Sequence, residues 1–274
     1  MDSPPRPARR AVTAATAATA TVVLGAVLAA CGTAPPPPST VPTPRVEVVA
    51  THPFDPTSFT QGLDVAPDGS VVVGTGLTGR SRIYRTTPDG RQSDSRPLDP
   101  GLFGEGVAVA GDTVWQLTWT DGTAIRRDAR TLAETGRVPY DGEGWGLCFD
   151  GRRLIMSDGS ADLMSDGSAD LTFRGPVTFA ETGRVTVRRD GEPVRRLNEL
   201  DCAEDGTVLA NVWQTDTIER IAPDTGEVTA EIAVDLPRPA DADVLNGIAH
   251  IPGTDRMYLT GKLWDTLYEV RVTP

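Results

Sequence analysis

Histidine and positive charge are both scarce in this chain. Only two histidines, His52 and His250, occur in 274 residues, and neither belongs to an HExxH motif. A histidine-rich catalytic zinc site is therefore hard to build. Lysine and arginine number 26 against 38 aspartates and glutamates, which gives a net charge of −12. This excess of negative charge argues against a nucleic-acid partner.

Apolar residues at helical spacing are also missing from residue 46 to the C-terminus. Short β-rich runs alternate there with turn dipeptides such as Asp68-Gly69, Asp150-Gly151 and Thr225-Gly226. Alternation of this kind is typical of antiparallel sheets. Since 39% of the residues are hydrophobic, we expect residues 46–274 to fold as an all-β domain with a substantial core.

The N-terminal residues have the composition of a targeting segment. Several arginines, the last of them Arg10, precede an apolar, alanine-rich stretch that ends in Leu28-Ala29-Ala30-Cys31-Gly32. We assign residues 1–30 to a lipoprotein signal peptide, with Cys31 lipidated, and residues 31–45 to a proline-rich tether. The protein would then be extracytoplasmic and lipid-anchored to the bacterial cell membrane. The alternative is a plain transmembrane anchor, for which the run is short and rich in threonine.

Five segments of the remaining chain resemble one another. Each opens with a polar or aromatic residue, usually followed by glycine, and leads through a turn into a second β-rich run. The five openings are Gln61-Gly62-Leu63, Glu105-Gly106-Val107, Trp145-Gly146-Leu147, Asn198-Glu199-Leu200 and Asn246-Gly247-Ile248. Their second positions lie 44, 40, 53 and 48 residues apart. A period in the forties with several strands per repeat indicates a five-bladed β-propeller.

An N-terminal strand is predicted to close this propeller. The last repeat ends one strand short, after the run from Leu267 to Val272, whereas the run from Arg45 to Phe54 precedes the first repeat and has no blade of its own. We expect the N-terminal run to complete the last blade, because that removes an exposed sheet edge.

The residue that opens each repeat is expected at the mouth of the central channel, because the glycine after it lets the innermost strands approach closely. Glu105 is the only carboxylate among the five residues that open the repeats, which are Gln61, Glu105, Trp145, Asn198 and Asn246. Tryptophans around it would raise its pKa, which suits a general acid and base near neutral pH. The alternative is a solvated glutamate at the rim, with the tryptophans packing the blades.

An ordered set of motifs runs from about residue 46 to the C-terminus. It includes Phe59-Thr60-Gln61-Gly62-Leu63, Gly104-Glu105-Gly106, Gln116-Leu117-Thr118-Trp119, Gly144-Trp145-Gly146-Leu147, Leu197-Asn198-Glu199-Leu200, Asn211-Val212-Trp213, Leu245-Asn246-Gly247-Ile248 and Thr260-Gly261-Lys262. No single motif is specific, but the ordered set resembles the plant-type and bacterial glutamine cyclotransferase family. The resemblance implies a five-bladed propeller that converts the N-terminal glutamine of peptides or proteins to pyroglutamate and releases ammonia. It also implies that no metal or other cofactor is needed.

The same resemblance implies roles for nine residues. Glu105 matches the family's catalytic glutamate, which would serve as general acid and base. Gln61, Asn198 and Lys262 would hydrogen-bond the γ-amide and the developing oxyanion. The pocket walls would be the aromatic residues Phe59, Phe103, Trp119, Trp145 and Trp213. The alternatives are that Lys262 is a lysine at the rim of the pocket and that Asn198 caps a turn.

We expect the protein to be a monomer.

Two other functions stay open on the sequence alone. A propeller lipoprotein could hold a ligand without turning it over, and ammonia release separates an enzyme from such a binder. A metal-dependent lactonase would need carboxylates and amides clustered around calcium or zinc at the channel. Glu105 is the only carboxylate at the predicted mouth positions, which argues against the lactonase.

Two cysteines, Cys148 and Cys202, remain in the domain, in a compartment that we expect to be oxidising. Cys148 is the second residue after Gly146, and Cys202 is the third after the equivalent Glu199. Side chains alternate along a strand, so the two cysteines face opposite sides of their blades. Because neighbouring blades pack front to back, this parity favours a disulfide between them. Two buried free thiols are the alternative.

A tandem duplication explains the longest interval. The eight residues from Met156 to Leu163 are repeated letter for letter from Met164 to Leu171, and without the second copy the interval of 53 residues becomes 45. The family pattern carries one such segment. We expect the extra residues to form a polar loop at the rim of that blade, where an insertion costs little entropy.

Deleting Met164 to Leu171 should therefore leave a folded domain with activity equal to or above that of the intact chain, because a loop at the rim restricts access to the pocket. Thermal unfolding and ammonia release from a glutamine-initiated peptide measure the two properties. If the deletion unfolds the protein, the second copy belongs to a blade and the loop assignment is wrong.

Overall fold

All regular structure in the described part of the chain is β-strand. A computed structural model describes residues 39–158 and 168–274, which contain strands and turns and no helix. None of the described residues belongs to a helix that is long and apolar enough to cross a membrane. The predicted signal peptide and Cys31 lie outside the described residues, as do residues 159–167 of the duplicated segment. The prediction of an all-β domain is confirmed.

The strands are short and follow one another closely along the chain. In order they are β1 (Arg45–Pro53), β2 (Thr60–Val65), β3 (Val71–Thr75), β4 (Arg82–Thr86), β5 (Gln92–Pro97), β6 (Gly104–Ala110), β7 (Thr113–Thr118), β8 (Thr123–Asp128), β9 (Glu134–Pro139), β10 (Leu147–Phe149), β11 (Leu154–Ser157), β12 (Asp170–Arg174), β13 (Glu181–Thr186), β14 (Arg188–Arg189), β15 (Glu192–Pro193), β16 (Leu197–Cys202), β17 (Val208–Val212), β18 (Thr217–Ala222), β19 (Glu227–Ala233), β20 (Leu245–His250), β21 (Arg256–Gly261) and β22 (Thr266–Thr273).

Antiparallel runs of four strands recur along the chain. Three are separate sheets, β2–β5, β6–β9 and β10–β13, and two lie end to end in a ten-stranded sheet. These two are β16–β19 and the run of β20, β21, β22 and β1; the hairpin β14–β15 is attached to β19. We call the five runs sheet units one to five, in chain order. Their inner strands coincide with the five repeats predicted from the sequence.

The N-terminal strand joins the two ends of the fold. β1 pairs antiparallel with β22, from Arg45 opposite Thr273 to Pro53 opposite Thr266. It also pairs in parallel with β19, where Arg45 lies opposite Ala233. As predicted, this strand completes the last unit, and it covers what would otherwise be an exposed edge.

The innermost strands β2, β6, β10, β16 and β20 neighbour one another in cyclic order. Five hydrophobic clusters fill the spaces between successive units, and each draws residues from two of them. Val72 and Val107 meet between units one and two, for example, and Leu267 and Leu63 meet between units five and one. The fold is therefore propeller-like, with its core distributed between the sheets.

Glycine on the inner strands permits the units to meet at the axis. A Cβ added to Gly106 would lie 2.6 Å from the carbonyl oxygen of Trp145, and one added to Gly146 would lie 2.1 Å from that of Asn198. Both distances are far below van der Waals contact, and in each case the obstructing atom is backbone. Any side chain at these positions would push neighbouring inner strands apart.

Glu199 occupies the position that glycine holds in the other four repeats. The side chain is completely buried, with 0% exposure. One carboxyl oxygen accepts the Leu63 N–H at 3.1 Å, and the other accepts the Ile248 N–H at 2.9 Å. A single side chain of unit four thus satisfies backbone donors of units one and five.

The disulfide predicted from strand parity is present. Cys148 on β10 and Cys202 on β16 are bonded, with their Cα atoms 5.4 Å apart. The bond lies beside the cluster between units three and four, which includes Ile155 and Leu200. It fastens two neighbouring inner strands covalently.

The duplicated segment begins in β11 and ends in the neighbouring strand β12. Ser157 of the first copy is the last residue of β11, and it pairs with Leu171 of the second copy on β12. Asp162-Leu163 has the same letters as Asp170-Leu171. Deleting the second copy would therefore place identical residues at the start of β12, which supports the expected tolerance of that deletion.

Replacing Glu199 by alanine should destabilise the domain strongly. Two buried N–H groups would lose their acceptor, so we expect the free energy of unfolding to fall by about 2–5 kcal/mol. Chemical denaturation measures this, with Glu227→Ala as the control, since Glu227 is exposed at the edge of β19 and its change should lie within about 0.5 kcal/mol. Equal stabilities for the two variants would contradict the role of Glu199.

Candidate active site

One pocket opens where the innermost strands begin. It is a cavity of about 210 Å³, smaller than the ~300–1,000 Å³ of sites for drug-sized ligands, so its size suits one amino-acid residue rather than a whole peptide. Its lining consists of Phe59, Gln61, Phe103, Glu105, Trp119, Glu143, Trp145, Asn198, Trp213 and Lys262. The structure thus brings together all nine residues selected from the sequence, and it adds Glu143.

Glu105 lies on β6, lines this pocket and is only 4% exposed. Its Oε1 accepts a hydrogen bond from Gln61 Nε2 at 2.9 Å. Its Oε2 is buried and has no hydrogen-bond partner among the described residues. Burial raises the pKa of the Glu105 carboxyl well above its usual range; the Lys262 ammonium acts against this shift and the Glu143 carboxylate adds to it.

Gln61 is fixed from behind by Asn246. The Asn246 amide donates to Gln61 Oε1 at 3.1 Å and to the Thr60 carbonyl at 3.0 Å. This leaves the Gln61 amino group directed at Glu105. Asn246 itself is completely buried and does not line the pocket. The sequence placed Asn246 among the mouth residues, but its position in the structure is that of a support for Gln61.

Two groups of aromatic rings form the walls. On one side the Phe103 ring meets Phe59 at 6.3 Å and Trp119 at 5.5 Å, both edge to face. On the other side Trp145 meets Trp213 at 5.8 Å, also edge to face. Such edge-to-face pairs hold one another in defined orientations. The two remaining tryptophans, Trp115 and Trp264, are buried between sheet units instead.

Glu143 is the pocket residue that sequence reasoning missed. It precedes the motif Gly144-Trp145-Gly146-Leu147 and is 8% exposed. Its Oε2 accepts the indole N–H of Trp119 at 2.9 Å and that of Trp145 at 3.0 Å. A buried indole N–H needs a hydrogen-bond acceptor. The position of Glu143, two residues before Trp145, is the sequence signal that could have identified it. The pocket therefore contains two carboxylates.

Lys262 is buried against the first aromatic wall. Its Nζ lies 5.0 Å from the centroid of the Phe59 ring, within cation–π range. Burial lowers the pKa of Lys262, whereas the carboxylates of Glu105 and Asp243 raise it. The next residue, Leu263, has a left-handed backbone with φ of 63°, and its N–H donates to the Ser58 carbonyl at 2.8 Å. This contact holds the end of β21 beside the first unit.

Asn198 is positioned by a hydroxyl bridge between units three and four. Ser157 Oγ donates to the Asn198 carbonyl at 2.6 Å and accepts the Gly146 N–H at 2.8 Å. Asn198 is buried, and its side chain lines the pocket. Ser157 is the second residue of the first copy of the duplicated segment, so this copy takes part in building the site.

Other carboxylates on the inner strands are occupied by backbone donors. Asp64 accepts the Val109 N–H at 2.7 Å, and Asp201 accepts the His250 N–H at 3.0 Å. Burial raises the pKa of Asp64 to about 7. Within the described ranges, no three His, Cys, Asp or Glu side chains are grouped so as to hold a metal ion.

Comparison with known proteins identifies the family. The profile of the glutamine cyclotransferase family matches residues 18–272. This chain belongs to the glutamine cyclotransferase family. A glutaminyl-peptide cyclotransferase of Arabidopsis thaliana is 36% identical over 237 residues, which are 83% of this chain and 71% of that protein.

Solved structures agree with the family assignment. The crystal structure of the Myxococcus xanthus glutaminyl cyclase superimposes with a TM-score of 0.75 at 32% identity. The match covers 85% of this chain and 98% of the Myxococcus chain. An aldose sugar dehydrogenase of Streptomyces coelicolor in its PQQ-bound form matches with a TM-score of 0.56 at 15% identity, over 86% and 100% of the two chains. At that identity the second likeness concerns the fold alone.

Replacing Glu105 by glutamine should remove part of the pH dependence of stability. The folded state holds the Glu105 proton more tightly than the unfolded chain does. The proton on Glu105 therefore contributes fully to the free energy of unfolding below the unfolded-state pKa. This contribution is lost as the pH rises through the raised folded-state pKa. Glutamine keeps a carbonyl oxygen for Gln61 and does not ionise. The variant should match the wild type in acid and unfold at a higher temperature in alkali, by about 2–4 °C for each kcal/mol.

Thermal unfolding at pH 4 and pH 9, followed by circular dichroism, measures this difference. Glu227→Gln is the control, because it removes an exposed carboxylate and should change neither temperature. An identical pH dependence for wild type and Glu105→Gln would contradict the raised pKa of Glu105.

Proposed function

We propose that this protein is a glutaminyl-peptide cyclotransferase that converts N-terminal glutamine to pyroglutamate and releases ammonia. Membership of the glutamine cyclotransferase family supports this activity. The observation that carries it is the state of Glu105. One oxygen is held by Gln61, and the other is buried with no hydrogen-bond partner among the described residues, in a small, aromatic-walled cavity. A free, fixed oxygen of raised basicity is what a proton shuttle requires.

The reaction joins the α-nitrogen of glutamine to its own γ-carbon. The α-amine attacks the γ-carboxamide, an N–C bond forms, and the C–N bond to the departing ammonia breaks. Because nucleophile and electrophile belong to one residue, folding the side chain back supplies most of the proximity effect. The enzyme must hold that folded shape and move one proton.

Glu105 moves the proton in this mechanism. Its Oε2 takes a proton from the attacking amine, whose conjugate acid has a pKa of about 8, and gives it to the nitrogen that leaves as ammonia. The remaining N–H of Gln61, with Asn198 and Lys262, stabilises the γ-oxygen as it becomes negative. The aromatic walls keep water from the intermediate.

We further propose that the five sheet units are the blades of a five-bladed β-propeller. Three features support this count: the recurrence of four-stranded antiparallel runs, the cyclic order of the inner strands, and the clusters between successive units.

The reaction class of the enzyme would be that of an acyltransferase, since the γ-acyl group passes from one nitrogen to another.

The location of the enzyme is proposed from its N-terminal sequence. Residues 1–30 would be the signal peptide, Cys31 the lipid-bearing residue, and residues 31–45 the tether. We propose a monomeric, extracytoplasmic enzyme that is lipid-anchored to the bacterial membrane and acts on exported peptides or proteins with N-terminal glutamine.

Ammonia release tests the proposed activity. The purified chain should convert a glutamine-initiated peptide to the pyroglutamyl form with one ammonia per peptide, and chelator should not prevent this. Glu105→Gln should lower turnover by about two to four orders of magnitude, as expected for loss of a general acid and base. Glu227→Gln, at an exposed position, should keep wild-type turnover. Near-normal turnover in Glu105→Gln would make the proposed role of Glu105 wrong.

A further inference from the structure

Glu143 joins the two aromatic walls through a single atom. Its Oε2 is the acceptor for Trp119, which belongs to the wall of Phe59 and Phe103, and also for Trp145, which belongs to the opposite wall. Two N–H donors at 2.9 and 3.0 Å fix the orientation of the carboxylate. The hydrogen bonds of Glu143 to described side chains all use Oε2, and the residue lines the pocket.

An oxygen so placed is suited to a cationic group. Ammonium ions are bound best where a carboxylate and the faces of aromatic rings meet, because both attract positive charge in a partly desolvated site. The pocket brings a carboxylate and indole rings together: Trp119 and Trp145 both donate to Glu143, and Trp213 packs edge to face against Trp145. Lys262, the cation already present, is placed against the Phe59 ring.

We infer that Glu143 binds the α-ammonium group of the N-terminal glutamine and thereby selects substrates with a free N-terminus. This inference rests on the proposed cyclotransferase activity. The amine of a peptide is largely protonated at neutral pH, since its pKa is about 8, so the substrate arrives as a cation. Glu143 receives it. Glu105 then removes the proton that prevents the amine from attacking and, after attack, a second proton from the ring nitrogen. Both protons pass to the nitrogen that leaves, which departs as ammonium.

The two carboxylates differ in their surroundings in a way that fits this division. Glu105 has one buried oxygen that no group in the described part of the chain hydrogen-bonds, and its pKa is raised by burial, as a group that exchanges protons requires. Glu143 Oε2 is held by two N–H donors, which fix the position of the carboxylate that receives the ammonium group. The substrate loses its positive charge during the reaction, so the attraction to Glu143 weakens and favours release of pyroglutamate.

Glu143→Gln separates charge from wall packing. A glutamine carbonyl oxygen can still accept both indole N–H groups, so the walls are retained while the negative charge is removed. Two ligands report on the charge: a glutamine-initiated peptide, which carries the ammonium group, and the pyroglutamyl peptide of the same sequence, which does not. Calorimetry in the Glu105→Gln background, where the substrate persists, gives both dissociation constants with and without Glu143→Gln.

We expect Glu143→Gln to weaken binding of the glutamine peptide about tenfold or more, as for a lost charge-assisted hydrogen bond, and to change binding of the pyroglutamyl peptide less than about twofold. With Glu105 intact, KM should rise by a similar factor while kcat changes little. Tryptophan fluorescence should match that of the parent protein. Glu227→Gln is the matched control for loss of one negative charge.

Two results would overturn the inference. If binding of both peptides weakens equally, the substitution has disturbed the aromatic walls; if binding of neither peptide weakens, the Glu143 carboxylate does not contact the ammonium group. Glu143→Asp keeps the charge on a shorter side chain and should weaken the glutamine peptide less than Glu143→Gln does; equal losses in the two variants would also overturn it. Binding does not depend on turnover, so wild-type protein that releases no ammonia would refute the proposed activity separately.

Discussion

The close approach of the inner strands at the axis is the constraint on which the rest of the structure depends. Gly62, Gly106 and Gly146 have no room for a Cβ, since backbone atoms of the next unit lie 2.4, 2.6 and 2.1 Å from where it would stand. The residue immediately before each glycine is thereby brought to one narrow opening. The site is assembled as a by-product of closing the ring. In the fourth unit, Glu199 uses the same crowded space to accept backbone donors from two other units.

The pocket places polar groups in apolar surroundings at a cost to stability. Glu105 and Lys262 are both buried, and burial shifts their pKa values in opposite directions, each toward its neutral form. A core of leucines in the same place would be more stable, because burying ionisable groups is unfavourable. The fold tolerates this because its five hydrophobic clusters lie between the units, and none of them includes Glu105 or Lys262.

The sequence was most informative where the fold repeats. The inner strands, the closing strand and the cysteine pair follow from spacing and alternation, and the nine pocket residues follow from their place in ordered motifs. Glu143 escaped because it lies in a loop before β10, outside the repeat. Asn246 was placed at the mouth because its register matches Gln61, yet it turns to support that side chain. Gln214 and Leu263, which follow Trp213 and Lys262, have left-handed backbones although neither is glycine. The directions of the Trp213 and Lys262 side chains could therefore not be predicted from the sequence.

The disulfide has a consequence for what a protease can do to this molecule. Cys148 and Cys202 are separated by 54 residues, and the whole duplicated segment lies between them. A peptide bond cleaved anywhere in that interval leaves two fragments that remain covalently connected. Such a nicked chain would migrate as one species until a reductant is added. In an environment rich in proteases, the enlarged connection between β11 and β12 can thus be cut without release of either fragment.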